Sequence, residues 1–314
     1  MEQKTRRYPR DLLGTACIPL DSACHLDRPR FEHLIQGLTD RGLTRIYTFG
    51  TAGEGHSVGN LLFAEVVSAF AELMRAPDLS PMVGVIALSA ADVAGRIRFA
   101  YGKGIRDFQI SLPPWGALSD QEVVDYFHLI CDQFPDCRFM HYNTGRSGRR
   151  VGVSLYRRLC EEIQNLVAVK YLTSDFSEIN ALKKADLPLR IYFTEFGFSY
   201  ASMIGFDCGF LISLAACNIV AARRWLQVSD EGDLPALQKF HSQMTEISEH
   251  FAAVTDRGRI DSAYDKLFCR FLVPDFPQSL LPPYEGQSDP ERSFQQFSLY
   301  LKEKHPEWLD AAAQ

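Results

Sequence analysis

The sequence has no CxxC pair, no close pair of histidines at metal-ligand spacing and no excess of basic residues: 33 Lys and Arg stand against 39 Asp and Glu, for a net charge of −6. That balance gives no general attraction for nucleic acid or an anionic membrane, and the missing ligand spacings argue against a metal. No apolar run reaches the ~20 residues of a membrane span. The opening MEQKTRRYPRDLLG carries basic residues without the apolar stretch of a signal peptide. The eight cysteines, at 17, 24, 131, 137, 160, 208, 217 and 269, are scattered through periodic segments, as reduced core thiols are. These absences lead us to expect a cytoplasmic protein that acts on a small molecule and requires no cofactor.

With 314 residues, 46% of them hydrophobic, the chain can bury a large core. Short β-rich runs alternate with helical patterns, which argues for βα units around a parallel sheet. Strands are expected at 12–18, 44–50, 82–88, 107–112, 137–143, 166–170, 190–195 and 209–214. Between them lie segments such as SDQEVVDYFHLICDQF, where Ser119 and Glu122 form a capping-box pattern. Eight such repeats within about 230 residues fit a closed (β/α)8 TIM barrel; a doubly wound sheet would carry a Gly-rich fingerprint after its first strand, and none is present. The expected organisation is a barrel over 1–230, carrying the active site, and a helical appendage over 231–314 packed on it, with no low-complexity linker between them.

Reacting groups of such a barrel sit where strands end. LVAVK ends on Lys170, where desolvation would lower the pKa and leave an amine able to attack a ketone; the alternative is a rim lysine paired with Asp175. FMHYNTGRSGRR brings Tyr142 to the neighbouring strand end, as a proton shuttle or as a core tyrosine. Arg146, in the loop that follows, could offer a fork to a carboxylate, while Arg149 and Arg150 read as solvated. After the second strand, FGTAGEGHS supplies the Thr51 hydroxyl and the successive N–H groups of Thr51, Ala52 and Gly53, a potential anion nest. Its small residues are then explained by the backbone acting as ligand. Glu54 is read as fixing this loop, and His56 as a hydrogen-bonded structural residue.

GTAGE after the second strand, YN with a Gly/Arg-rich loop after the fifth, and VAVK closing the sixth resemble the dihydrodipicolinate synthase and N-acetylneuraminate lyase family over nearly the whole chain. The resemblance implies a class I, Schiff-base mechanism in which Lys170 forms the imine, Tyr142 shuttles protons, Thr51 relays them and the Thr51–Gly53 loop holds the carboxylate of pyruvate or a pyruvyl unit. It also implies a homodimer or homotetramer. Three departures bear on substrate. Ala52 replaces a second hydroxyl residue, Pro114 and Trp115 stand where the synthase branch has a relay tyrosine, and the loop bearing Arg146 is about one residue short. The expectation is therefore an aldolase, lyase or dehydratase acting on a longer 2-oxo acid, such as a ketodeoxy sugar acid, with Trp115 against an apolar or sugar face. The alternatives are dihydrodipicolinate synthase proper, a catalytically impaired ligand-binding member of the fold and, less favoured, a metal-dependent aldolase.

Overall fold

In the computed structural model, which describes residues 5–309, eight short strands close on one another in sequence order. They are β1 (Leu12–Thr15), β2 (Arg45–Thr48), β3 (Ser80–Gly84), β4 (Asp107–Ile110), β5 (Arg138–Asn143), β6 (Leu166–Tyr171), β7 (Arg190–Phe193) and β8 (Gly209–Leu211). Every pairing is parallel, including β1 with β8. A helix follows each strand, and the helices Leu234–Val254, Asp261–Cys269 and Pro290–Lys304 come after the barrel. The chain is a (β/α)8 barrel with added C-terminal helices.

Alternation along the strands sorts the side chains into two cores. Met140 and Ala168 join Leu13, Tyr47, Met82, Tyr192 and Leu211 inside the barrel, whereas Phe139 and Val169 pack outward against the helices. Since side chains repeat with period two, Tyr142 and Lys170, each two residues further along, also come inward, and they are register partners. At the opposite, N-terminal end Tyr8 plugs the barrel, its hydroxyl donating to Asp107 at 2.6 Å.

The expected strands matched the C-terminal ends of β5 and β6 to within one residue, and the other six overran theirs. Those placed at 12–18, 44–50 and 209–214 leave the sheet at Thr15, Thr48 and Leu211, and the apolar residues beyond line loops instead. The strand expected to reach 195 stops at Phe193, because Glu195 opens a helix and its buried carboxylate accepts from the N–H groups of Ser213 (2.7 Å) and Ala215 (3.0 Å), fixing the turn after β8. The capping box at Ser119 and Glu122 is present and opens the helix Asp120–Cys131. The eight cysteines are thiols outside any disulfide among the described residues, and all but Cys24 are buried. Among the described residues no helix is long and apolar enough to cross a membrane.

His141 points outward from β5 and its Nδ1 lies 2.7 Å from the Tyr156 hydroxyl. Burial pushes its pKa down from 6.5 to about 3. A group depressed in this way is neutral when folded and protonates more readily when unfolded, so its contribution is intact above pH 6.5 and is lost as the pH falls toward 3. Replacing His141 with Gln is expected to flatten the dependence of unfolding free energy on pH in that window, by up to about 1.4 kcal/mol per pH unit, measured by urea denaturation at several pH values. An unchanged slope would contradict this.

Candidate active site

Beyond β2 the chain coils through residues 49–57 against its own backbone. Phe49 and Glu54 take left-handed conformations, with φ of 60° and 59°, a strain that the surrounding contacts must hold in place. A Cβ on Gly55 would lie 2.0 Å from the Phe49 carbonyl oxygen, and one on Gly84 2.1 Å from the same atom. These glycines are thus required by the loop's packing on Phe49; the need for small residues is not set by a ligand alone. The N–H groups of Thr51, Ala52 and Gly53 make no hydrogen bond among the described residues, so they remain free to accept an anion.

Glu54 faces away from the barrel mouth. Its carboxylate pairs with the Lys266 ammonium at 2.6 Å, both side chains being almost completely buried, and it accepts from the Leu281 N–H at 2.6 Å. The loop is thereby tied to the helix Asp261–Cys269 and to the segment after it.

Lys170 lies at the C-terminal end of the barrel, 6% exposed, in a chamber of about 190 Å³. Its Nζ donates to the Tyr47 hydroxyl at 3.1 Å and sits 4.3 Å from the centre of the Tyr142 ring. Asp175 is not its partner, since that side chain caps the helix Phe176–Ala185 by accepting from the Glu178 N–H. Burial pulls the Lys170 pKa down, but the neighbouring Tyr142 and Tyr47, the hydrogen bond to the Tyr47 hydroxyl and Asp261 push it further up, and the net direction is upward. This corrects the expectation of a lowered pKa: desolvation acts on a lysine surrounded by polar groups that favour its charged form, so the ammonium is the resting state. The Tyr142 hydroxyl lies 3.3 Å from the Thr51 Oγ1, so a side chain from β5 and one from the loop after β2 meet beside the lysine.

The same chamber is lined by Asp261, Tyr264 and Asp265, all from the helix beyond the barrel and none of them singled out from sequence. Asp265 accepts from the Ser213 hydroxyl at 2.8 Å. Its pKa is pushed up to about 7, first by burial and then by the neighbouring Asp261 charge. Asp261 grips Arg146 with both oxygens, at 2.9 and 2.7 Å, while Arg146 Nη1 also donates to Thr51 Oγ1 at 3.1 Å. Tyr47 was missed because it reads as one more aromatic in a strand; its inward position in β2, on the same interior face as Ala168 and Lys170, was the available signal. The acids of 261–269 gave none, since no local pattern places that helix over the barrel.

A second chamber of about 440 Å³ shares Tyr142 with the first and is lined also by Thr51, Pro114 and Arg146. Trp115 contributes to neither chamber and is 92% exposed. This corrects its expected place against substrate: the turn after β4 carries the indole outward and leaves Pro114 facing the cavity. His56 lines the second chamber, its ring set edge-on to Tyr284 with centroids 4.8 Å apart; its ring nitrogens have no hydrogen-bond partner among the described residues, contrary to the expected hydrogen-bonded histidine.

Fold and site together define a (β/α)8 protein with a lysine enclosed among tyrosines and acids at the C-terminal mouth. The profile of the Dihydrodipicolinate synthetase family matches residues 9–263, and the chain belongs to that family. Among curated relatives it is 26% identical over 155 residues to a trans-2'-carboxybenzalpyruvate hydratase-aldolase of Nocardioides sp. (strain KP7), covering 48% of this chain and 46% of the relative. It is 22% identical over 169 residues to the 4-hydroxy-tetrahydrodipicolinate synthase of Thermotoga neapolitana, covering 54% and 57%. The chain thus spans about half the length of the curated relatives it matches. Two solved structures superpose with a TM-score of 0.80: YagE of E. coli K12, a prophage protein of the dihydrodipicolinic acid synthase family in complex with pyruvate (14% identical; 93% of this chain, 98% of the other), and Proteus mirabilis N-acetylneuraminate lyase (18% identical; 93% and 98%). These two likenesses are of fold.

The Glu54–Lys266 pair makes a direct structural demand. Glu54→Ala and Lys266→Ala should each cost about 3–5 kcal/mol of stability, because each strands the opposite charge in the interior. The double variant should lose less than the sum of the two. Urea denaturation of the three variants measures this, and single losses under about 1 kcal/mol, the range of an exposed pair, would show that the pair is not holding the loop.

Proposed function

We propose that the protein is a class I lyase or aldolase that binds a 2-oxo acid as an imine on Lys170. The observation that supports this most is the enclosure of Lys170 Nζ between Tyr47 and Tyr142, with Thr51 in contact with the Tyr142 hydroxyl. An amine in that position can meet the C2 carbonyl of a 2-oxo acid whose carboxylate rests on the free N–H groups of Thr51, Ala52 and Gly53.

Because the ammonium is favoured at rest, Lys170 must first give up a proton. The amine then adds to C2, forming a carbinolamine; protonation of the carbinolamine hydroxyl releases water and leaves the iminium. Tyr142, backed by Thr51, is placed to carry these protons. The iminium draws electrons from C3, so that either the bond from C3 to C4 breaks with release of an aldehyde, or a C3 proton is lost and a leaving group departs from C4.

Condensation with aspartate semialdehyde is the less favoured reaction. Pro114 lines the second chamber and Trp115 points away from it, so neither supplies a relay phenol, and Ala52 in the lysine chamber has no hydroxyl to offer a carboxylate. Cleavage or dehydration of a longer 2-oxo acid fits these residues better.

A panel of longer 2-oxo acids, assayed for pyruvate release or dehydration, tests the reading. Tyr142→Phe is expected to lower kcat by about 10²-fold or more while changing KM far less, since a proton carrier acts in the transition state. A variant with unchanged kcat would return Tyr142 to the role of a packing residue.

A further inference from the structure

We infer that the aldehyde half of the substrate is uncharged, because Asp261 occupies the one guanidinium fork that could bind a carboxylate there. The inference rests on the imine chemistry proposed above and concerns the second chamber, which opens beside Tyr142.

Arg146 is the one charged side chain in the wall of that chamber. A guanidinium holds a carboxylate best through two parallel N–H bonds, and here those bonds go to Asp261 at 2.7 and 2.9 Å, with a further bond to Thr51. Burial raises the Asp261 pKa, but the Arg146 hydrogen bonds and charge, together with Lys170, bring it below its usual value. The pair is therefore an ion pair with no net charge to offer. His56 adds none, because burial lowers its pKa and keeps the ring neutral.

The rest of the wall carries no charge. Beside Ile86, Ala87, Leu88, Pro114 and Ile260, this space of about 440 Å³ is lined by uncharged polar residues, Ser111, Thr144 and Ser147 among them. A carboxylate entering it would have to displace Asp261 from Arg146 or stay without a counter-charge, and either is costly. An aryl or branched alkyl group would instead replace water against hydrocarbon. Discrimination thus comes from the lack of a free cation for a second carboxylate as well as from fit.

The test is aldol condensation of pyruvate with benzaldehyde and isobutyraldehyde, compared with succinic semialdehyde and aspartate semialdehyde, with products quantified by mass spectrometry. The wild-type protein should favour the uncharged aldehydes in kcat/KM by about tenfold or more, and Asp261→Ala should narrow that ratio about tenfold by improving the carboxylate-bearing pair. Exchange of the pyruvate methyl protons for deuterium, followed by NMR without any aldehyde, reports imine and enamine formation separately. Exchange accompanied by a wild-type preference for the semialdehydes overturns this inference alone. So does a folded Asp261→Ala protein with an unaltered ratio. Absence of exchange in the wild type overturns the imine reading and this inference with it. Should Asp261→Ala fail to fold, the wild-type preference decides.

Discussion

The buried ion pair between Glu54 and Lys266 joins two parts of the chain that no strand pairing connects. One is the strained loop after β2; the other is the helix Asp261–Cys269, beyond the barrel. The loop brings Thr51 and the free N–H groups, and the helix brings Asp261, Tyr264 and Asp265, to the mouth where Lys170 emerges. With both side chains almost fully buried, neither charge can be left alone without a large penalty. The pair therefore fixes the position of each part relative to the other, and the helix Asp261–Cys269 forms part of the wall around Lys170.

Period-two alternation inside the barrel supplies the second constraint. Met140 and Ala168 make an apolar layer, and the next inward positions of the same strands are Tyr142 and Lys170. Lys170 thus rests above hydrocarbon on one side and is flanked by phenols on the other. Desolvation alone would favour the neutral amine, while the phenols and the nearby acids favour the ammonium, and the second influence prevails. On the proposed imine chemistry, proton movement then becomes part of bond formation at Lys170, and the contact between Tyr142 and Thr51 bears on it.

The barrel was legible in the sequence because eight β-rich runs alternate with helical patterns, and the helices that follow it were legible because the strand-like runs stop there. The C-terminal ends of β5 and β6 were legible to within one residue, but those of the other six strands were not. Residues 16–18 and 49–50 are apolar or small, like a strand, yet they belong to loops that turn over the mouth. Lys170, Tyr142, Thr51 and Arg146 were found because strand ends in such a barrel converge, and the structure brings all four together. Asp261 and Asp265 were invisible because their place depends on a contact across more than 200 residues, between Glu54 and Lys266. Trp115 misled because a large aromatic near a strand end suggests a binding face, whereas the turn after β4 points it outward.

The central claim is that Lys170 is the amine that bonds to substrate. Incubation with pyruvate and borohydride, followed by digestion and mass mapping, tests it most directly, because reduction turns a transient imine into a permanent secondary amine. The account requires the added mass on the peptide bearing Lys170, and its absence after Lys170→Ala. Labelling at a different lysine, or none with pyruvate or any other 2-oxo acid, would contradict it.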